Sequence, residues 1–151
     1  MAKLTLLAPL SGRLVPLQEV PDEAFAEGMM GEGAAIDPAV GEVRSPVDGE
    51  VAMVFPTGHA VALTTAEGAE ILIHCGVDSS QTGVFQLKVE AGQSVKAGDL
   101  LLTFDLAGLK AKAKSALTPV ILTGLPEGLS LEVLGAPKDV TAGETPILAL
   151  R

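Results

Sequence analysis

The chain has 151 residues, of which 48% are hydrophobic and 19% charged, and this apolar content excludes a disordered protein. Its net charge of −9 lacks the basic footprint of nucleic-acid-binding proteins, so we expect no nucleic acid partner. No apolar run reaches the roughly 18 residues of a membrane-spanning helix, and we see no secretory signal. The single cysteine, Cys75, fits a reducing compartment. We therefore expect a cytoplasmic protein that does not insert into the membrane.

Turn residues divide the chain into short apolar segments from one end to the other. The 17 glycines and 10 prolines leave runs of strand length between them, a spacing typical of all-β sandwiches and barrels. Two segments are predicted to be helical instead. Residues 21–27 have acidic side chains near their start and form one or two helical turns, and residues 106–116 form a short helix. Since no linker is visible, the sequence predicts one domain over residues 1–151.

Two sequence patterns each occur twice along the chain. Segments 8–15 and 45–52 both place a proline, an apolar residue, a serine or aspartate and a glycine before a strand. Segments 95–102 and 140–148 both place a glycine-centred turn before a strand. These repeats predict an internally duplicated motif, folded into a single antiparallel β-sandwich.

The two histidines of the chain, His59 and His74, flank a predicted β-hairpin. Segments 60–64 and 70–74 are largely apolar, contain several β-branched residues and have the length of strands. Between them, residues 65–68 form a short turn that ends in glycine. The hairpin therefore joins the two places where an imidazole occurs.

The register of this hairpin decides whether the two imidazoles meet. We predict that Thr64 faces Ala69, which places His59 directly opposite His74, with their Cβ atoms about 4.5–5.5 Å apart. A slip of one residue would put the rings on opposite faces of the sheet. A purely structural pair would need a hydrogen-bond partner for each ring nitrogen. A functional pair would supply a nucleophile or ligand beside a proton donor.

Nine segments spread over nearly the whole chain resemble the glucose-class enzyme IIA domains of the phosphoenolpyruvate-dependent sugar phosphotransferase system. These segments are 8–12, 20–22, 25–27, 31–33, 46–49, 57–60, 74–78, 117–120 and 143–146. Their order and spacing are far more specific than any one segment alone. The resemblance implies a β-sandwich with a duplicated motif. It also implies a carrier that accepts a phosphoryl group from the histidine-containing phosphocarrier protein and passes it to a cysteine of a sugar-specific IIB domain.

The resemblance also implies roles for individual residues. His74 matches the histidine that is phosphorylated on Nε2, and His59 matches the histidine that stabilises the phosphoryl group. Thr57 matches the threonine that orients the supporting histidine, and Asp78 matches the aspartate of the family motif. An apolar docking rim is implied as well, although each member of it fits ordinary core packing equally well. The rim consists of Phe25, Met29, Met30, Phe55 and Leu72.

The sequence departs from the family pattern beside the proposed nucleophile. Cys75 stands where a bulky apolar residue is usual, and Ser79 and Ser80 replace a threonine and an apolar residue. The loop over residues 81–85 is shorter by about two residues, a change that surface loops tolerate. Because Cys75 follows a strand residue, we expect its side chain to point away from the His74 face.

Three other classes of protein compete with the carrier interpretation. A regulatory binding module on the same fold, without phosphorylation, remains the main alternative. A zinc peptidase needs three protein ligands and a water, but only two histidines and Asp78 are available. A biotinyl or lipoyl carrier needs a lysine at the hairpin tip, and residues 65–68 contain none. We expect no cofactor and no metal, because two histidines alone hold zinc weakly.

Overall fold

The computed structural model describes residues 2–151, and within this range the chain forms mainly short β-strands. The strands are β1 (Leu4–Leu7), β2 (Gly12–Pro16), β3 (Glu32–Pro38), β4 (Glu42–Arg44), β5 (Gly49–Val54), β6 (Ala60–Thr64), β7 (Glu70–His74), β8 (Phe85–Leu87), β9 (Ser94–Val95), β10 (Leu100–Phe104), β11 (Thr118–Gly124), β12 (Leu131–Val133), β13 (Lys138–Val140) and β14 (Pro146–Leu150). The helices are a 3₁₀ helix (Leu17–Glu19), α1 (Glu23–Ala26) and α2 (Leu106–Lys112).

The strands form one large sheet and two small ones, and every pairing between them is antiparallel. The large sheet has the order β13-β2-β3-β11-β7-β6-β5-β9, and the small sheets have the orders β1-β14-β12 and β4-β10-β8. One buried apolar cluster contains side chains from all three sheets, such as Leu6, Leu14 and Leu102. The predicted antiparallel β-sandwich is therefore confirmed.

The large sheet has a two-fold repeat in its strand order. Reading the order backwards and exchanging each strand for its counterpart gives the same order again. The exchange pairs β1 with β4, β2 with β5, β3 with β6, β7 with β11, β8 with β12, β9 with β13 and β10 with β14. Equivalent turns make equivalent bonds: the Gly98 N–H donates to the Ser45 carbonyl at 2.8 Å, and the Gly143 N–H donates to the Ala8 carbonyl at 2.9 Å. The predicted duplication of the motif is confirmed by this symmetry.

The central strands of the large sheet bury apolar side chains on both faces. In β7, Ile71 and Ile73 point into the main core between the sheets. Leu72, between them, points to the opposite face, where it joins a second cluster that includes Phe25 of α1. Because side chains alternate along a strand, His74 lies on the same face as Leu72, under α1.

Both predicted helical segments are shorter in the structure than the sequence indicated. Helix α1 begins after Asp22, whose Oδ1 accepts the Ala24 N–H at 2.9 Å and so caps the first turn. Helix α2 ends at Lys112, four residues before the predicted end at position 116. The chain after α2 pairs with the loop behind β7 instead, since the Lys114 N–H donates to the Val77 carbonyl at 2.9 Å. Within residues 2–151, no helix is long and apolar enough to cross a membrane.

Candidate functional site

The hairpin that carries the histidines forms at the predicted strands but with a different register. Strands β6 and β7 have the predicted bounds. However, Thr64 faces Glu70, and Ala60 rather than His59 faces His74. The predicted pairing of Thr64 with Ala69 is therefore wrong by one residue. The cause is a longer turn, in which the Thr65 N–H donates to the Ala69 carbonyl at 3.1 Å.

The two imidazoles meet in spite of this shift, because His59 lies outside the regular strand. It ends the connection between β5 and β6, where Gly58 has a φ of +78°. Because of this turn, the direction of the His59 side chain is not set by the alternation of side chains along β6. The ring centroids of His59 and His74 are 4.9 Å apart, and their planes cross at 77°. The prediction that the two rings lie together is confirmed.

A backbone carbonyl fixes the tautomer of His74. Its Nδ1 lies 2.8 Å from the Gly76 carbonyl oxygen. A carbonyl can only accept, so Nδ1 must carry the proton, and in the neutral ring the lone pair is left on Nε2. Gly76 has a φ of +78°, which places its carbonyl back toward the ring it follows. The structure therefore leaves the lone pair of the neutral His74 ring on Nε2.

His59 is held from its own side by Thr57. The Thr57 hydroxyl lies 2.5 Å from His59 Nδ1, and His59 is 8% exposed. A hydroxyl can donate to Nδ1, and in that arrangement the neutral ring presents an N–H at Nε2. The predicted contact between Thr57 and His59 is present in the structure.

Both imidazoles are kept neutral near physiological pH. Burial lowers the pKa of His59 below its ordinary value of 6.5, and the neighbouring charge of His74 lowers it further. Burial also lowers the pKa of His74. Its hydrogen bond to the Gly76 carbonyl and the nearby Asp22 carboxylate act in the opposite direction and raise that pKa, but burial outweighs them. A neutral, partly buried imidazole is a competent nucleophile.

All four phenylalanines of the chain take part in a continuous set of ring contacts around the histidines. The Phe25 ring lies 5.0 Å from His74, and the Phe55 ring lies 5.2 Å from His59. Phe85 lies 6.4 Å from His59 and 5.8 Å from Phe104. Phe85 was not predicted as a site residue, since nothing close to it in the sequence connects it with a histidine that precedes it by 26 positions.

The five residues of the predicted docking rim divide into two groups. Phe25 and Leu72 are buried, with 5% and 7% exposure, and they pack in one apolar cluster on the face of the sheet that carries His74. The expectation that all five line an exposed surface is therefore wrong for these two. Met29 and Met30 are 73% and 46% exposed, and Phe55 is partly exposed.

Asp22, which was not among the predicted site residues, is the carboxylate that acts on His74. It raises the pKa of His74 by its charge, while its side chain also caps α1. Asp78 is exposed and has a φ of +53°. Within residues 2–151, no hydrogen bond connects the Asp78 carboxylate with either imidazole. The structure thus brings Thr57, His59 and His74 together and leaves Asp78 at the border of the site.

Cys75 points into the main core, away from the imidazoles, as the alternation of the strand predicted. Its side chain is fully buried, and burial raises the pKa of the thiol to about 12. It is therefore an apolar core side chain. In the part of the chain that the structure describes, no group of three or more histidine, cysteine or acidic side chains is placed to hold a metal ion.

Comparison with known proteins agrees with this geometry. Residues 4–127 match the family model described as phosphoenolpyruvate-dependent sugar phosphotransferase system, EIIA 1. The chain belongs to this EIIA family. It is therefore a phosphoryl carrier of the sugar phosphotransferase system, as the resemblance predicted.

Individual relatives of this EIIA protein align over almost their whole length. The PTS system glucose-specific EIIA component of Oceanobacillus iheyensis is 45% identical over 148 residues, which cover 97% of this chain and 89% of that protein. The solved structure of glucose permease IIA from Mycoplasma capricolum matches with a TM-score of 0.90 at 37% identity. That match covers 96% of this chain and 94% of the solved chain.

Proposed function

We propose that this EIIA protein accepts a phosphoryl group on His74 Nε2 from the histidine-containing phosphocarrier protein. It then passes the group to a cysteine of the IIB domain of a sugar permease. Both transfers take place in the cytoplasm, on a single domain that comprises residues 1–151. Both relatives described above are named for glucose, so a glucose permease is the first partner to test.

The observation that carries this proposal is the hydrogen bond from His74 Nδ1 to the Gly76 carbonyl. It leaves the lone pair on Nε2, which attacks phosphorus as the bond between phosphorus and the donor nitrogen breaks. The His74 ring keeps its Nδ1 proton and becomes positively charged during this step. The Gly76 carbonyl and the Asp22 carboxylate stabilise that charge, which is why both raise the pKa of His74.

His59 stabilises the phosphoryl group in this scheme. With Thr57 donating to Nδ1, the Nε2–H of His59 is free to donate to a phosphoryl oxygen beside His74. Phosphoryl transfer depends mainly on such positioning and on stabilisation of charge. The surrounding phenylalanine rings exclude water from the site, which slows hydrolysis of the phosphohistidine.

The exposed apolar side chains near the site form the surface on which both partners dock. Met29, Met30 and Phe55 are its accessible members, and methionine side chains adapt to partners of different shape. Asp78, at the border of the site, faces the arriving partner in this scheme. A negative protein also attracts a partner with a basic face.

Phosphorylation of single-histidine variants tests the proposal. The protein is incubated with phosphoenolpyruvate and the relay proteins, and phosphohistidine is measured by mass spectrometry. His74→Gln should remain unphosphorylated. His59→Gln should be phosphorylated but should support little sugar phosphorylation downstream, because an amide cannot change its protonation as the phosphoryl group leaves. Phosphorylation of His74→Gln together with its loss in His59→Gln would reverse the two roles.

The same experiment addresses the alternative function, a regulatory binding module that is never phosphorylated. Membership in a phosphotransferase family does not favour that alternative. A wild-type protein that stays unmodified in the presence of active relay proteins would support the regulatory module and would refute the carrier.

A further inference from the structure

The loop that follows β7 is tightly folded, and its central side chain is buried. Gly76 and Asp78 both have positive φ values, +78° and +53°. A left-handed aspartate is uncommon and persists where surrounding contacts hold it in place. The next residue of the loop is Ser79, which is only 1% exposed.

The Ser79 hydroxyl connects the backbone segments of both histidines. It donates to the Cys75 carbonyl at 2.5 Å. The Cys75 N–H in turn donates to the His59 carbonyl at 2.7 Å. Cys75 is thus held at both ends, by Ser79 on one side and by the His59 backbone on the other.

The next peptide along the chain, between Gly76 and Val77, is also held at both ends. Its carbonyl accepts the Nδ1–H of His74 at 2.8 Å, and its N–H donates to the Ser115 carbonyl at 2.8 Å. This peptide determines the tautomer of His74. Its orientation depends on the peptide before it, whose carbonyl is the one that Ser79 binds.

Ser79 itself is fixed by the loop that follows. The Thr82 hydroxyl donates to the Ser79 carbonyl at 2.8 Å, and the Thr82 N–H donates to the same oxygen at 3.1 Å. The Lys112 ammonium group reaches the Thr82 carbonyl at 3.4 Å. A rigid, buried hydroxyl of this kind holds its acceptor in one place, because few other conformations are open to it.

We propose that Ser79 is a positioning residue for phosphoryl transfer, whose hydroxyl holds the Cys75–Gly76 backbone so that the Gly76 carbonyl keeps the proton of His74 on Nδ1. The proposal rests on the phosphoryl carrier function given above. Ser79 does not touch the phosphoryl group. It acts through the backbone that selects the nucleophilic nitrogen.

The test compares Ser79→Ala with Ser45→Ala, a matched control. Ser45 is fully buried, and its hydroxyl also donates to a backbone carbonyl, that of Val47, at 2.6 Å. Ser45 lies before the start of β5, whereas Thr57 and His59 lie after its end, so the control is separated from the site by the length of this strand. Each substitution removes one buried hydroxyl that binds a carbonyl, so their effects on stability should be similar. Only the change at position 79 should reach His74.

The first readout is the tautomer of His74, measured by ¹⁵N NMR on histidine-labelled protein. In Ser79→Ala the ratio of the Nδ1–H to the Nε2–H form should fall by between about twofold and tenfold, the effect expected from weakening one hydrogen bond. Ser45→Ala should retain the wild-type ratio. An unchanged ratio in Ser79→Ala, or equal changes in the two variants, would overturn the proposal.

The second readout is the rate of phosphorylation by the relay proteins. Ser79→Ala should be slower by about tenfold or more, since a displaced nucleophile loses its alignment. Thr82→Val gives a milder change of the same loop. If Ser79→Ala does not fold, Thr82→Val must show a smaller shift of the tautomer in the same direction, and no shift refutes the proposal. Because the tautomer is measured without any partner protein, a failure of the carrier function itself would be recognised separately.

Discussion

Replacement of Gly76 by alanine should damage both the stability and the chemistry of this protein. A residue with φ near +78° lies in the left-handed region, which costs about 1–2 kcal/mol for a residue with a Cβ atom. The new Cβ would lie 2.9 Å from the Ser115 carbonyl oxygen and 3.2 Å from a methyl carbon of Leu109. Relief of such crowding in a packed core costs roughly a further 1–3 kcal/mol. We expect a total loss of about 2–5 kcal/mol in the free energy of unfolding.

Gly83→Ala is the control that separates strain from crowding. Gly83 has a similar φ of +70°, and an added Cβ would meet no atom within 4 Å. It should lose only the first contribution, about 1–2 kcal/mol. Urea denaturation of both variants measures the difference, and phosphorylation of His74 should be slowed only in Gly76→Ala. Equal losses of stability in the two variants would refute the account of crowding between a Cβ at position 76 and the Ser115 carbonyl.

Three further predictions concern docking, charge and pH. Phe55→Asp should weaken transfer from the phosphocarrier protein and to the IIB domain. Leu125→Asp, at an exposed apolar residue directly after β11, should change neither rate. An unchanged KM in Phe55→Asp would exclude Phe55 from the docking surface. Asp22→Asn should lower the pKa of His74 in an NMR titration. Asparagine caps α1 equally well but lacks the charge that raises this pKa. An unchanged pKa of His74 would contradict the role of Asp22. Burial lowers the pKa values of both histidines below 6.5. Just below that pH the folded protein therefore binds fewer protons than the unfolded chain. The free energy of unfolding should thus fall as the pH drops through this range. Denaturation series should show a smaller fall in the double variant His59→Gln, His74→Gln, and identical series would argue against this linkage.

The strands that carry the histidines were predictable because their signals are local. Alternating or continuous apolar runs with β-branched residues define β6 and β7, and the bounds of both were predicted correctly. The duplicated motif was also visible, since its turns need proline and glycine at fixed positions. The register was predicted wrongly, because turn length depends on a hydrogen bond between Thr65 and Ala69 that the residue types do not specify.

The remainder of the site depends on contacts between distant parts of the chain. Phe85 comes within 6.4 Å of His59 only after β8 has paired with β10 in a different sheet. The division of the predicted rim into buried and exposed members has the same origin, because the packing of α1 onto the sheet buries its own Phe25 together with Leu72 of β7. Helix α2 was predicted too long. The segment after Lys112 favours helix locally, but it forms backbone hydrogen bonds with the loop after β7 instead.

The two-fold repeat of strand order allows equivalent connections of this molecule to differ in length and in what they contribute to the site. Strands β2 and β5 are counterparts, yet the connection from β5 to β6 is short and supplies Thr57 and His59. The equivalent connection from β2 to β3 is long, and it contributes Asp22, Phe25 and the exposed methionines. The longer connection also acts on the site, because Asp22 raises the pKa of His74 and the Phe25 ring lies against the His74 ring. Its methionines, Met29 and Met30, face solvent instead, so they are the members of this connection that can change with least effect on His74.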